Sequence, residues 1–333
     1  MYNNELKFSL WCDFVERNFL EGEFVALLEN KIVNAATSNP SIFKAAFLSS
    51  AAYTEDKARL KGKSPKEIYE ALAIGDIRLA AQKLLPLYEN GDDGFISMEV
   101  DPFLCDDASA TVEEGKRLFK SIGYPNVMIK VPSTEAGFIA MEALLCEGIP
   151  VNATLVFSLQ QTLACLNAFQ KANHFLKENK PEALLPHAVI SIFVSRFDRK
   201  LDEALQKIDF VTSRVGVMNA LRCYEAIERT ALPNVRALFA STGVKGDVLK
   251  PDYYITELLV RNCINTAPLE TIKAFVASTK TCKVHEVSTQ SIDNFFNALE
   301  ANGIVMETVC DELMHEGLKS FKEAFLEILN ALE

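Results

Sequence analysis

The chain has 333 residues, of which 49% are hydrophobic and 24% charged, and a formal net charge of −11. This acidic balance, with no Lys/Arg cluster to override it, argues against a nucleic-acid-binding surface. No segment approaches the ~18 consecutive apolar residues of a membrane span, and the amino terminus lacks the pattern of a signal peptide. We therefore expect a cytoplasmic protein with no membrane partner.

Short apolar runs alternate along the chain with longer stretches of helical periodicity. The apolar runs predict eight strands, at 8–13, 33–37, 94–100, 126–131, 151–157, 188–194, 235–241 and 263–267. Amphipathic helices are predicted between them, at 108–122, 137–147, 159–177, 197–208, 217–230 and 269–277. Eight β-then-α units favour closure into a (β/α)8 TIM barrel over an open doubly wound sheet, and such barrels commonly form one domain, here 1–333.

Two stretches lie outside the eight repeats. Residues 43–90, between the second and third strands, are rich in helix formers and predict extra helices. From about residue 288 the chain continues as amphipathic helix, at 292–301 and 318–332, and we expect these helices to pack on the outside of the barrel.

The fourth predicted strand contains a lysine, Lys130, within the apolar run Val-Met-Ile-Lys-Val-Pro. A lysine in a buried strand must be paired, neutralised or used for chemistry. Carboxylates, Glu99 and Asp101, appear at the same end of the third strand, and Asn152 and Thr154 follow on the fifth. The carboxyl ends of parallel barrel strands form the active-site face, so we expect these side chains to meet there.

Other strand ends contribute polar residues to the same face. They are Asp13, Thr37, Asn39, Ser191, Arg196, Ser241 and Lys245. Each polar residue also has a structural interpretation, since a strand lysine is more often ion-paired than nucleophilic, a carboxylate can cap a helix, and Asn-Pro-Ser is an ordinary turn. The functional prediction therefore depends on their occurrence together.

Histidine and cysteine do not indicate a metal site. The eight cysteines are scattered with no C-x-x-C pair, which is typical of reduced core thiols, and none of the four histidines lies where a predicted strand ends. We therefore expect neither a metal nor a histidine base.

Five segments resemble motifs of the transaldolase family, in the same order: ATSNPSIF (36–43), SMEVDP (97–102), MIKVPST (128–134), VNATLVFS (151–158) and SIFVSR (191–196). The resemblance extends to ASTGVK (240–245) and NTAP (265–268). It implies a Schiff-base enzyme of the non-oxidative pentose phosphate pathway that needs no metal and no organic cofactor. The implied substrates are sugar phosphates: a dihydroxyacetone unit would pass from sedoheptulose 7-phosphate or fructose 6-phosphate to glyceraldehyde 3-phosphate or erythrose 4-phosphate.

The resemblance also implies a role for each matched residue. Lys130 would form the Schiff base, Asp13 would be the acid/base at the C–C bond, and Glu99 would exchange protons during imine formation. Glu99 would act through a water held partly by Thr154. The substrate would be bound by Asn39, Asn152 and Ser191 at its hydroxyls, by Arg196 at its phosphate, and by Thr37, Phe193 and Ser241.

The chain departs from the family pattern after the seventh strand, where relatives commonly place a second phosphate-binding arginine and this chain has Gly243. Lys245 is a candidate replacement. Two alternatives stay open: a fructose-6-phosphate aldolase, which would release dihydroxyacetone, and a non-catalytic sugar-phosphate-binding barrel. The aldolases are shorter and carry glutamine where this chain has Glu99, and binding alone does not require Lys130. Monomer and homodimer both remain possible.

Overall fold

The computed structural model describes residues 3, 5–278, 284–286 and 288–333. Eight parallel strands close into a barrel in sequence order, with β8 pairing back to β1. The strands are β1 (Ser9–Cys12), β2 (Ala35–Thr37), β3 (Ile96–Glu99), β4 (Val127–Pro132), β5 (Val151–Val156), β6 (Ala188–Phe193), β7 (Val235–Ala240) and β8 (Cys263–Ala267). The predicted (β/α)8 fold class is confirmed.

Helices surround the barrel, and further helices form in the two stretches predicted to lie outside the eight repeats. In chain order they are α1 (Arg17–Glu21), α2 (Glu23–Glu29), α3 (Pro40–Ser49), α4 (Thr54–Arg59), α5 (Pro65–Glu89), α6 (Ala108–Ile122), α7 (Glu135–Cys146), α8 (Leu159–Asn179), α9 (Ser195–Lys207), α10 (Val215–Thr230), α11 (Tyr253–Glu257), α12 (Leu269–Ala277), α13 (Thr289–Ala301) and α14 (Met306–Ala331). None of the described helices is both long and apolar enough to cross a membrane.

Local sequence signals explain where several helices begin. The extra helix α5 begins after a capping box, in which Ser64 accepts from the backbone of Glu67 and the Glu67 carboxylate accepts from the backbone of Ser64. Ser158 and Gln161 form the same arrangement at the start of α8. These caps satisfy amide groups that a first helical turn leaves unpaired, so each helix begins directly after its loop.

The barrel core follows from strands that are buried on both faces. Every strand residue is buried except Arg236, and the helix layer covers the outer face of the strands. The cysteines at 12, 105, 146, 165, 223, 263 and 310 are free thiols, while Cys282 lies outside the described residues. Those seven agree with the expectation of reduced thiols.

The carboxyl-terminal helix differs from the prediction in length and position. α14 begins at Met306, well before the expected start at residue 318, and it packs against α3, α5, α9 and the end of β5. Cys310 Sγ donates to the carbonyl of Phe157 at 3.2 Å, directly after β5. α13 packs against α10 in the outer layer, whereas α14 lies along the carboxyl-terminal rim of the barrel.

Close contact with the barrel explains a glycine inside α14. A Cβ at Gly317 would lie 2.9 Å from Leu155 Cδ2 and 3.4 Å from Arg196 Nη1. Glycine costs about 1 kcal/mol relative to alanine inside a helix. Here it permits α14 to approach β5 and the beginning of α9.

Candidate functional site

The strand register brings the central predicted residues side by side. Glu99 on β3 pairs with Lys130 on β4, and Lys130 pairs with Asn152 on β5. Side chains alternate between the two faces of a strand, so each strand directs every second side chain into the barrel interior. This alternation places Asp13, Thr37, Glu99, Lys130, Asn152, Thr154, Ser191 and Phe193 at one end of that interior.

Lys130 is buried and has a defined orientation. Its side chain is 7% exposed, and Nζ donates a hydrogen bond of 2.9 Å to the backbone carbonyl of Ser38. The Ser38 hydroxyl in turn donates to the carbonyl of Ser97 at 2.7 Å, which holds the β2–α3 connection against β3. The amine therefore lies at a fixed position in the barrel mouth.

Glu99 is the nearest carboxylate to this amine. Its Oε2 lies 3.8 Å from Lys130 Nζ, and neither carboxylate oxygen has a hydrogen bond within the described residues. Burial raises the pKa of Glu99 to about 7, although the Lys130 charge opposes the shift, and the charge of Asp13 adds to it. A carboxyl group with this pKa is present in both protonation states near neutral pH, as an acid/base group requires.

Asp13 follows β1 and is held by a hydroxyl. Thr37 Oγ1 donates to Asp13 Oδ1 at 2.7 Å, and the same hydroxyl lies 2.7 Å from Thr266 Oγ1 on β8. Burial raises the pKa of Asp13, while the Lys130 charge and the Thr37 hydrogen bond oppose the rise. A hydroxyl has a single proton, so while Thr37 donates to an ionised Asp13, Thr266 must be the donor to Thr37.

Asn152 and Ser191 form a hydrogen-bonded pair across β5 and β6. Ser191 Oγ donates to Asn152 Oδ1 at 2.6 Å, and Asn152 Nδ2 donates to Ser97 Oγ at 3.0 Å. Both residues are buried in the barrel interior. The chain thus orients its own amide and hydroxyl groups before any ligand arrives.

Thr154 precedes a bulge in β5. The register with β6 shifts between Ala153 and Val156, and Leu155 adopts a φ of +56°, which is uncommon for a residue with a side chain. The Thr154 hydroxyl is buried with no hydrogen bond to any described residue. Bulges of this kind redirect side chains and recur beside active sites.

The remaining predicted residues lie at the rim of the barrel. The Asn39 side chain accepts from the backbone amide of Ile42 at 3.0 Å and so caps α3, while its amide nitrogen has no hydrogen-bond partner among the described residues. The Arg196 guanidinium lies over the Phe193 ring, 5.4 Å from its centre. Ser241 Oγ lies 3.1 Å from Ser195 Oγ. Lys245 is exposed on the loop after β7 and forms no hydrogen bond or ion pair with a described residue.

The sequence analysis did not identify two residues of the candidate site and gave a third residue no role. Thr266 lies within the NTAP segment but was not singled out, and Ser38 contributes a backbone carbonyl, which no side-chain pattern indicates. The inward-facing alternation along β8 is the signal that identifies Thr266. Asp101, at the same strand end as Glu99 but given no catalytic role, pairs with Lys66 of α5 at 2.6 Å.

A cavity of about 920 Å³ lies at the opposite end of the barrel, lined among others by Lys7, His187 and Arg236. Arg236 is already paired there with Asp93 at 2.8 Å, and Asp93 also accepts from Trp11 Nε1 at 2.8 Å. These compensated charges are typical of structural contacts. Glu99, Asp13 and the buried Lys130 lie instead at the carboxyl ends of the strands, where barrel enzymes carry their chemistry.

Known proteins of one family match the chain over nearly its whole length. The family model described as Transaldolase/Fructose-6-phosphate aldolase matches residues 10–332. A transaldolase from Campylobacter jejuni subsp. jejuni serotype O:23/36 (strain 81-176) is 48% identical over 336 residues, covering 98% of this chain and 99% of the relative. A transaldolase from Helicobacter pylori (strain HPAG1) is 45% identical over 327 residues, with the same coverage of both chains.

Proposed function

Because the chain belongs to the transaldolase/fructose-6-phosphate aldolase family, we propose that it is an enzyme that transfers a dihydroxyacetone unit between sugar phosphates. Donors would be sedoheptulose 7-phosphate or fructose 6-phosphate, and acceptors glyceraldehyde 3-phosphate or erythrose 4-phosphate, in the non-oxidative pentose phosphate pathway. The observation that carries the proposal is the buried Lys130 beside Glu99, with Asp13 in the same mouth.

The chemistry begins at Lys130. The neutral amine attacks the ketone of the donor, and the resulting carbinolamine loses water to form an iminium ion. Glu99 lies 3.8 Å from the amine and has a pKa near neutrality, which suits it to supply and recover the protons of this step. The buried Thr154 hydroxyl has no hydrogen-bond partner among the described residues, so it could hold the water through which Glu99 would exchange protons.

Asp13 then acts at the C–C bond. It removes the proton of the hydroxyl on the departing carbon of the bond that breaks, so that this oxygen becomes the aldehyde of the aldose product. The electron pair of the broken bond flows into the iminium, which becomes an enamine held on Lys130, and the aldose leaves. An acceptor aldehyde reverses these steps, and water finally hydrolyses the imine. Thr37 holds one oxygen of Asp13 at 2.7 Å, which leaves the other for the substrate hydroxyl.

Substrate binding is assigned to the residues around these three. Asn39, Asn152 and Ser191 present amide and hydroxyl groups suited to the hydroxyls of the dihydroxyacetone unit. Arg196 and Ser241 would take the phosphate, with Lys245 on the neighbouring loop as a candidate second cation, and Phe193 and Thr37 would shape the mouth. The lysine and two carboxylates supply the chemistry without a cofactor. We place this enzyme in the cytoplasm, as one barrel domain acting as a monomer or homodimer.

A coupled assay with fructose 6-phosphate, run with and without erythrose 4-phosphate, tests the proposal. Transfer predicts turnover that depends on the acceptor. Release of free dihydroxyacetone without an acceptor would indicate the aldolase reaction, and binding without turnover or borohydride-trappable adduct would indicate a sugar-phosphate-binding barrel.

A further inference from the structure

We propose that Arg199 is a second ligand for the substrate phosphate, which it would hold together with Arg196 in the groove between α9 and α14. The inference rests on the proposed function for the identity of the sugar phosphate. It assigns a binding role to a residue outside the motifs considered so far.

The two arginines share one cavity at the carboxyl-terminal rim of the barrel. It has a volume of about 420 Å³ and is lined by Arg196, Arg199 and Lys200 of α9 and by Leu313, Glu316 and Ser320 of α14. Water occupies ≈ 30 Å³ per molecule in the liquid, so the space suffices for a phosphate group with several waters. Residues three apart on a helix are neighbours on its surface, which sets Arg199 beside Arg196.

The carboxylate in the groove is already paired. Lys200 Nζ lies 2.7 Å from Glu316 Oε1 and 2.8 Å from Glu312 Oε2. Arg196 and Arg199, in contrast, form no hydrogen bond or ion pair within the part of the chain that the structure describes. The Arg117 guanidinium, by comparison, donates hydrogen bonds to both carboxylate oxygens of Glu70, at 2.7 and 2.9 Å. The donors of the two groove arginines are therefore free for an external anion.

Electrostatics in the groove favour a dianion. Burial lowers the pKa of Arg196 and the adjacent charge of Arg199 lowers it further, while the charge of Glu316, which is shared with Lys200, opposes the shift. Partial burial also lowers the pKa of Arg199, with an opposing effect from Tyr254, which follows β7. Two like charges held side by side repel each other, and a phosphate between them would convert that repulsion into two charge-assisted interactions.

Arg196 is held in place for such a contact. Its guanidinium lies between the Phe193 ring, 5.4 Å away, and α14 at Gly317. Arg199 and Lys245 are both exposed, but Arg199 projects from the same helix as Arg196, whereas Lys245 is a point charge on a loop. Preorganised planar donors lose less freedom on binding a phosphate than a flexible ammonium does, which favours Arg199 as the second ligand.

Calorimetric titration with inorganic phosphate, together with steady-state kinetics, tests the inference. Arg199→Met keeps an apolar stem and removes the charge. We expect it to weaken phosphate binding and raise KM for fructose 6-phosphate at least about tenfold, the scale of a lost charge-assisted hydrogen bond. Turnover of unphosphorylated fructose should change less than about twofold on the same scale.

Two variants serve as controls. Lys245→Met tests the competing ligand, and Arg222→Met removes an arginine that lies over Phe296, away from the groove. Unchanged phosphate affinity in Arg199→Met overturns the inference, as does a tenfold loss in Lys245→Met alone. Equal losses on fructose and fructose 6-phosphate mean that Arg199 is structural and also overturn it. Phosphate titration needs no turnover, so a protein that binds phosphate through Arg199 yet transfers nothing would refute only the proposed reaction.

Discussion

Replacing Glu99 with glutamine removes the ionisable group nearest the proposed nucleophile and preserves the side-chain volume. Neither Glu99 oxygen has a hydrogen bond to a described residue, so the amide breaks none within that part of the chain. We expect Glu99→Gln to fold normally and to form the Schiff base about 10²–10⁴-fold more slowly at pH 7, the usual worth of a positioned acid/base. This loss corresponds to about 3–5 kcal/mol of barrier.

The pKa of about 7 also predicts how this loss depends on pH. Roughly half of Glu99 is protonated at pH 7 and about 1% at pH 9, so the acid-catalysed rate should fall about tenfold per unit at high pH. The variant has no such group. The ratio of wild-type to variant rates should therefore be larger at pH 7 than at pH 9 and should shrink as the pH rises between them.

Borohydride trapping with fructose 6-phosphate, quenched at successive times and followed by mass spectrometry, measures the rate. Glu114→Gln is a suitable control because it removes a carboxylate paired with Arg117 on α6, outside the barrel interior. Adduct formation at the wild-type rate in Glu99→Gln would refute the assignment, and so would a rate ratio that is constant between pH 7 and 9.

Substitutions at four further residues test the remaining assignments. Lys130→Met should abolish both turnover and the borohydride tag while retaining the fold by circular dichroism, because an unbranched apolar side chain suits the same buried position; a tag elsewhere would contradict the mechanism. Asp13→Asn should accumulate the donor adduct in mass spectra yet lose about 10²–10⁴ in transfer rate, and failure to accumulate it would reassign the residue. Arg196→Ala should raise KM for fructose 6-phosphate far more than for fructose, whereas equal losses would indicate a structural role. Thr266→Val should slow donor cleavage about threefold to tenfold, the effect of losing one hydrogen bond, without slowing adduct formation. Thr266→Ser should restore the cleavage rate. Equal cleavage rates in Thr266→Val and the wild type would exclude a contribution from this hydroxyl.

Much of the fold was predictable because local patterns and tertiary packing agree. Buried parallel strands read as apolar runs, and the predicted bounds of β8, α6 and α12 coincide with the observed ones. The predicted α14 is too short because the first turns of this helix contain many exposed polar residues and come after another helix, not after a strand. The sequence therefore offers no strong signal for where the helix begins. Its position along the barrel rim depends on the close approach at Gly317, which involves residues far apart in the chain.

The candidate site divides in the same way. Sequence alone determined which residue types occupy the strand ends, because alternation and strand count are local properties, and it thereby indicated Lys130, Glu99 and Asp13. Only the tertiary structure decided the protonation behaviour and the contacts of these groups. Burial raises the pKa of Glu99, and Thr266 reaches Thr37 across β1. α14 forms one wall of the groove that contains Arg196 and Arg199. Desolvation and hydrogen-bond direction depend on distances between segments remote in sequence, and those distances exist only once the barrel has closed.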